Sequence, residues 1–134
     1  MKKNILFLSI LVFLAFSCQE EIFPQDFVIG EEENFKWGNE YFSNDNTVKL
    51  TITEINDSRC PSDVVCVWQG EALVKIKVET SEINTIELST FDNPKDTVDS
   101  FSIELVQVSP YPISTKSIDL EDYTVKLKIE EIAD

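Results

Sequence analysis

The chain has 134 residues, room for one domain of ordinary size, with 11 Lys and Arg against 25 Asp and Glu, 3 Cys and no His. Without His there is no Ser-His-Asp or Cys-His catalysis, no H-E-x-x-H zinc site and no imidazole pH switch. A net charge of −14 leaves too few cations to displace counterions from phosphates, which excludes nucleic acid as a partner, and a content of 43% hydrophobic residues excludes a disordered acidic tail.

At the N-terminus, Lys2 and Lys3 precede an apolar run over residues 5–16 that only Ser9 interrupts. Twelve residues are too few to cross a bilayer, which takes about 20, and they fit the core of an export signal. The run ends in Leu14-Ala15-Phe16-Ser17-Cys18, with small residues three and one positions before the Cys. This ending resembles the lipobox of bacterial lipoproteins, where the Cys thiol is diacylated and the chain is cut just before it. The resemblance implies a signal peptide at residues 1–17, a lipid anchor on Cys18 and an acidic tether over residues 18–26. Ordinary signal peptidase would cut the same bond, so a plain secreted protein is the alternative. Cysteine arithmetic favours the anchor: Cys60 and Cys66 sit close together, and the odd Cys stands at the cleavage point.

Cleavage removes Lys2 and Lys3 and takes the net charge from −14 to −16. Such a surface repels anionic head groups, so attachment to the membrane is expected from the acyl chains alone. Gln19-Glu20-Glu21 resembles the short acidic signal that some Gram-negative lineages use to send lipoproteins to the cell surface. The expected place is the outer membrane, surface-exposed ahead of periplasm-facing.

Beyond the tether, apolar and polar residues alternate with period 2 in four clear segments. Val48, Leu50 and Ile52 form the first; Ala72, Val74, Ile76 and Val78 the second. Phe101, Ile103 and Leu105 make the third, and Tyr123, Val125, Leu127 and Ile129 the fourth. Each puts one face in a core and one in water. Residues 27–29, 35–37, 41–42 and 83–88 are weaker strand candidates, and residues 117–122 have room for one helical turn. Polar clusters at residues 43–46, 92–96 and 109–112 read as turns. The expectation is all-β: one small antiparallel β-sandwich, or a closed barrel, of six to eight strands over residues 27–134.

One segment stands apart, running from Asp57-Ser58-Arg59-Cys60-Pro61 through Cys66-Val67-Trp68-Gln69-Gly70 to Glu71-Ala72. It holds two Cys, the chain's only Arg and one of two Trp. A Cys-x5-Cys spacing is neither the C-x-x-C of thiol redox proteins nor half of a zinc knuckle. In an exported chain the two Cys have only each other as partners, so a structural disulfide is expected. Pro61 sets the first bend, and Val64-Val65 are expected to tuck beneath the loop. Trp68 and Ala72 are evenly spaced, which puts the indole in the core beside the sulfurs. Arg59 is expected to pair with Asp57, Asp63 or Glu71; the sharper alternative is a contact to an anionic ligand. The segment resembles the D-S-R-C-P-x4-C-V-W-x-G-x-A signature of a family of small, mostly uncharacterised exported bacterial proteins and lipoproteins. That resemblance extends to Ser109-Pro110-Tyr111-Pro112 and the closing strand, implies a β-rich fold and brings no activity with it.

Remaining signals are diffuse. Glu31-Glu32-Glu33, Asp92 with Asp96, and residues 119–122 offer oxygen ligands for Ca²⁺, but none has calcium-loop spacing, so no cofactor is expected. Glycosidases need only two carboxylates, yet 25 acidic residues single out no pair. Trp37, Tyr41 and Tyr111 would make a sugar-stacking platform if exposed, and core filling is the competing role. Two functions follow. One is a non-catalytic cell-envelope lipoprotein serving as an interaction or structural module for an envelope protein or glycan. The other is a small-ligand or carbohydrate binder using exposed aromatics. A flat surface with a buried Trp favours the first, and a groove with two exposed aromatic rings the second.

Overall fold

A computed structural model describes residues 25–133. The readings of a signal peptide, a Cys18 anchor and a surface signal all fall on residues 1–24, outside the described residues. Nine strands follow in chain order: β1 (Gln25–Phe27), β2 (Glu32–Lys36), β3 (Glu40–Ser43), β4 (Lys49–Asp57), β5 (Ala72–Glu79), β6 (Ile83–Ser89), β7 (Lys95–Val98), β8 (Phe101–Ser109) and β9 (Thr124–Glu131). One sheet has the order β1-β3-β4-β5-β6 and the other β2-β9-β8-β7. All pairings are antiparallel except β1 with β3. The sandwich is as expected, with nine strands in place of six to eight, and β1 takes in Gln25 and Asp26 ahead of residue 27.

Alternation explains the central strands. In β5, Ala72, Val74, Ile76 and Val78 are fully buried, while Leu73, Lys75, Lys77 and Glu79 lie on the outer face. In β9, Val125, Leu127 and Ile129 do the same from the opposite sheet. The unexpected strand is β7, which occupies a segment rich in turn residues. Only Val98 of its four residues is buried, and β7 forms because it is an edge strand registered on β8, Val98 opposite Phe101. Tertiary pairing overrides local turn chemistry there. The short turn expected near 117–122 is a 3₁₀ turn at Leu120–Asp122.

Two β-bulges set which side chains reach the core. In β4, Ile52 pairs with Ile76 and Glu54 with Lys75, so Thr53 is an extra residue. The inward set Val48, Leu50, Ile52 therefore continues with Ile55 and Asp57 rather than 54 and 56. In β8, Leu105 pairs with Leu127 and Gln107 with Lys126, which leaves Val106 over and turns Val108 inward. Both bulges lie in the half of the sandwich where the Cys-containing loop leaves β4.

The aromatic residues at the other half are structural. Phe27 and Phe35 meet edge to face at 5.5 Å, and Phe35 and Tyr41 at 4.7 Å. Tyr41 is buried, and its hydroxyl accepts the Lys36 N–H at 2.6 Å. It is therefore no part of a sugar platform; a phenol with its oxygen satisfied inside is a core residue. Trp37 is half-buried against the core and donates its indole N–H to the Thr53 carbonyl, 3.2 Å away, covering the first bulge.

The strand facing set at this bulge gives a direct test. Deleting Thr53 removes the extra residue and leaves Ile55 and Asp57 inward, whereas inserting one alanine between Glu54 and Ile55 turns both outward. Urea unfolding of the insertion variant should register a loss of at least about 3 kcal/mol, the cost of removing one buried side chain and one partner of a buried ion pair. An insertion within about 0.5 kcal/mol of the parent, the range of ordinary surface changes, would show that strand facing does not place Asp57.

Candidate binding site at the disulfide-loop end

Between β4 and β5 the ladder continues past the strands. Ser58 N–H bonds Glu71 O at 2.8 Å, and Cys60 N–H bonds Gln69 O at 2.7 Å. Gly70 sits between them at φ +64°, and a Cβ added there would fall 1.9 Å from the Ser58 carbonyl oxygen. Only glycine permits this close approach of the two strands. Cys60 and Cys66 form a disulfide with their Cα atoms 5.9 Å apart. The loop is also pinned to the segment after β8. Ser62 N–H bonds Pro112 O at 3.0 Å, and Ser114 gives its N–H and hydroxyl to Asp63 at 2.8 and 2.6 Å. Those two bonds hold the Asp63 carboxyl below the usual range.

Arg59 and Asp57 form the centre of this end. Nε donates to Oδ1 at 2.8 Å and Nη2 to Oδ2 at 2.7 Å, a two-pronged pair, and the Arg59 backbone N–H adds a third bond to Oδ1 at 3.1 Å. Both side chains are more than 90% buried. The guanidinium also reaches the other sheet: Nη1 bonds Val108 O at 2.8 Å and Nη2 bonds Pro110 O at 3.0 Å. Tyr123, just ahead of β9, donates its hydroxyl to Asp57 Oδ2 at 3.1 Å. Burial pushes the Asp57 carboxyl up, but the bonds and charge of Arg59 outweigh it and hold the acid below its usual value. Burial first, and then the Asp57 charge, push the Tyr123 phenol up to about 12. The charge of Arg59 is thus spent inside the protein, on Asp57 rather than Asp63 or Glu71, which disfavours an anionic ligand.

Two expectations about the loop are overturned. Trp68 is 83% exposed instead of packed in the core. Even spacing from Ala72 keeps a common face only along a continuous strand, and the left-handed backbone of Gly70 breaks that continuity before β5 begins. Val64 and Val65 are exposed as well, since a ring closed between residues 60 and 66 has no interior to receive them.

Beside the loop lies a cleft of about 380 Å³. Gln69 and Gly70 form one wall; Val106, Gln107 and Val108, at the β8 bulge, form another. Phe91 and Tyr111, 62% and 53% exposed, border it, and Thr90 adds a hydroxyl. The Tyr111 ring is held in place by the Arg59 guanidinium stacked 4.6 Å from its centroid. Of Trp37, Tyr41 and Tyr111, Tyr111 alone lies at this cleft; Trp37 borders a different hollow, with Gly38, Asn39 and Glu121. Phe91, Val106, Gln69 and Gln107 were not foreseen. Their signals were a lone aromatic inside the polar 90–94 turn and the broken alternation of Leu105-Val106-Gln107-Val108. Among the described residues no three His, Cys, Asp or Glu side chains are grouped to hold a metal. Comparison with protein-family models, with curated proteins and with solved structures finds no match.

Two outcomes follow from this geometry. The Tyr123 pKa, raised from 10.0 to about 12, means that the unfolded chain ionises before the folded one. Stability is complete below pH 10 and falls as pH rises toward 12. The loss specific to Tyr123 is about 1.4 kcal/mol at pH 11. Urea titrations at pH 8 and pH 11 should show this excess loss in the parent relative to Tyr123→Phe; equal losses would contradict the buried phenol–carboxylate contact. The Cys60→Ala/Cys66→Ala pair should melt a few degrees lower and keep its β-sheet spectrum. Closing so short a ring is worth only about 2 kcal/mol, and the Arg59 bonds persist without it. Loss of the sheet spectrum would show that the disulfide holds the fold.

Proposed function

We propose that this chain is a non-catalytic, lipid-anchored module of the cell envelope that binds a neutral saccharide at the disulfide-loop end of its sandwich. The observation that carries the reading is the pair of exposed rings, Phe91 and Tyr111, bordering one cleft. A sugar presents C–H faces to aromatic rings and hydroxyls to polar groups. The cleft supplies both, with the amides of Gln69 and Gln107 and the hydroxyl of Thr90 beside the rings. Arg59, neutralised by Asp57, favours an uncharged ligand. Tyr111 is fixed before binding by the stacked guanidinium, so little ordering entropy opposes the contact. The lipobox-like ending at Cys18 and the following Gln19-Glu20-Glu21 support tethering in the outer membrane, with the domain facing outward. The plainer reading, a structural module with a flat surface and a buried Trp, fits an exposed Trp68 and a bordered cleft less well.

A glycan array of neutral bacterial and host saccharides, followed by calorimetry on the glycan retained, tests the reading. Phe91→Ala and Tyr111→Ala should each weaken binding about tenfold, the loss of one stacked ring, without shifting the sheet spectrum. An array with no glycan retained, or binding indifferent to both substitutions, would contradict it.

A further inference from the structure

The most exposed apolar side chains at this end are outside the cleft, on the loop tip. Val65, Val67 and Trp68 are 102%, 92% and 83% exposed, values that leave them almost no contact with the rest of the domain. They are held in this posture by the disulfide and by the Ser62 and Asp63 bonds to residues 112 and 114, not by packing. The tip is also uncharged: no acid or base occurs from residue 64 to residue 70 in a chain of net charge −14. Of the flanking acids, Asp63 is bonded by Ser114 and Glu71 by Ser89. A rigid, neutral protrusion bearing a Trp and two Val is the composition that settles at a bilayer interface, where an indole places its apolar body among acyl chains and its N–H among head groups.

Chain geometry lets that tip lie level with a lipid on Cys18. Through β3, Gln25 is level with Tyr41 and Leu50. β4 runs from Leu50 toward the loop, and β1, antiparallel to it in direction, runs away, so Gln25 is the end of β1 nearer the loop. The rise from Leu50 to Asp57 is seven residues, about 20 Å at strand spacing. Cys18 precedes Gln25 by seven residues as well, a reach of at most about 25 Å. The tether is long enough to place a lipid on Cys18 level with the base of the loop and too short to hold the domain far from the bilayer.

We infer that the tip at residues 64–68 dips into the interface of the same bilayer that holds the Cys18 lipid, and so orients the domain on that surface. This rests on the anchor reading. The acyl chains supply attachment; the tip supplies orientation. Because the tether makes the contact intramolecular, three apolar side chains suffice where a free domain of this charge would be repelled. The cleft, whose wall begins at Gln69, then opens close to the membrane plane, toward saccharides carried near that surface.

The test uses the full lipid-modified protein with Trp37→Phe, so that Trp68 is the only indole, in phosphatidylcholine and phosphatidylethanolamine vesicles with and without brominated acyl chains. Flotation reports the anchor, and emission reports the tip. The expected result is flotation, a blue shift, and loss of roughly half the Trp68 emission in brominated vesicles, as an interfacial depth requires. Val65→Ser/Val67→Ser should reduce the shift while flotation persists. Should Trp37→Phe disturb folding, the difference between parent and Trp68→Phe spectra gives the same reading. Flotation with emission unchanged from the Cys18→Ser protein in buffer overturns the inference and leaves the anchor standing. Protection of Trp68 from aqueous quencher without bromine quenching also overturns it, since protein then covers the tip. Failure to float removes the anchor reading and this inference with it.

Discussion

The two-pronged bond between Asp57 and Arg59 is the contact on which the rest of this end depends. Asp57 terminates β4 in one sheet; of the carbonyls that take the remaining prongs, Val108 belongs to β8 in the other and Pro110 to the segment that leaves that strand. One planar side chain thus ties the two sheets and fixes the loop that leaves β4. Lysine could not replace it, because a single ammonium cannot serve a carboxylate and two carbonyls in one plane. A buried pair of this kind adds little net stability over an apolar replacement, yet removing one partner costs about 3–5 kcal/mol. Its contribution is placement, and the placement extends to Tyr111 through the stacked guanidinium.

Comparison of magnitudes shows why the disulfide is secondary. Closing a ring between Cys60 and Cys66 removes about 2 kcal/mol of chain entropy, less than the cost of stranding either charge of the pair. The disulfide shapes the tip; the ion pair positions the base. Gly70 completes the arrangement by letting the returning strand pass against the Ser58 carbonyl. The bulges then act on the same end. Thr53 turns Asp57 inward to meet Arg59, and Val106 turns Val108 inward and exposes its own side chain to the cleft. Cleft and tip share one foundation but differ in character, one polar with aromatic borders and the other apolar and uncharged.

The sequence shows the sandwich through β5 and β9, whose alternation runs unbroken, and shows the Cys60–Cys66 bond because these two Cys stand close together while the third lies far ahead of them in the chain. It shows Arg59 pairing with a carboxylate without showing which one, because the choice of Asp57 depends on a bulge at Thr53 that adds one residue and reverses every facing after it. Period-2 reasoning assumes a continuous strand, and Trp68 was misplaced for that reason: the left-handed Gly70 lies between it and Ala72. Strand β7 was hidden because a lone Val98 on an edge leaves no periodic trace. The cleft itself is assembled from four separate stretches of chain, around Arg59, Gln69, Phe91 and Gln107 to Tyr111, and no local pattern announces such a meeting.

The central claim is that Asp57 and Arg59 act as one unit joining the two sheets. A double-mutant cycle measures that directly, with Asp57→Ala, Arg59→Ala and the combined variant unfolded in urea at pH 7. The account predicts that each single change strands a buried partner, so the combined change costs less than the sum of the two by at least about 2 kcal/mol. Additivity within about 0.5 kcal/mol would contradict it, showing that the two side chains stabilise this end independently.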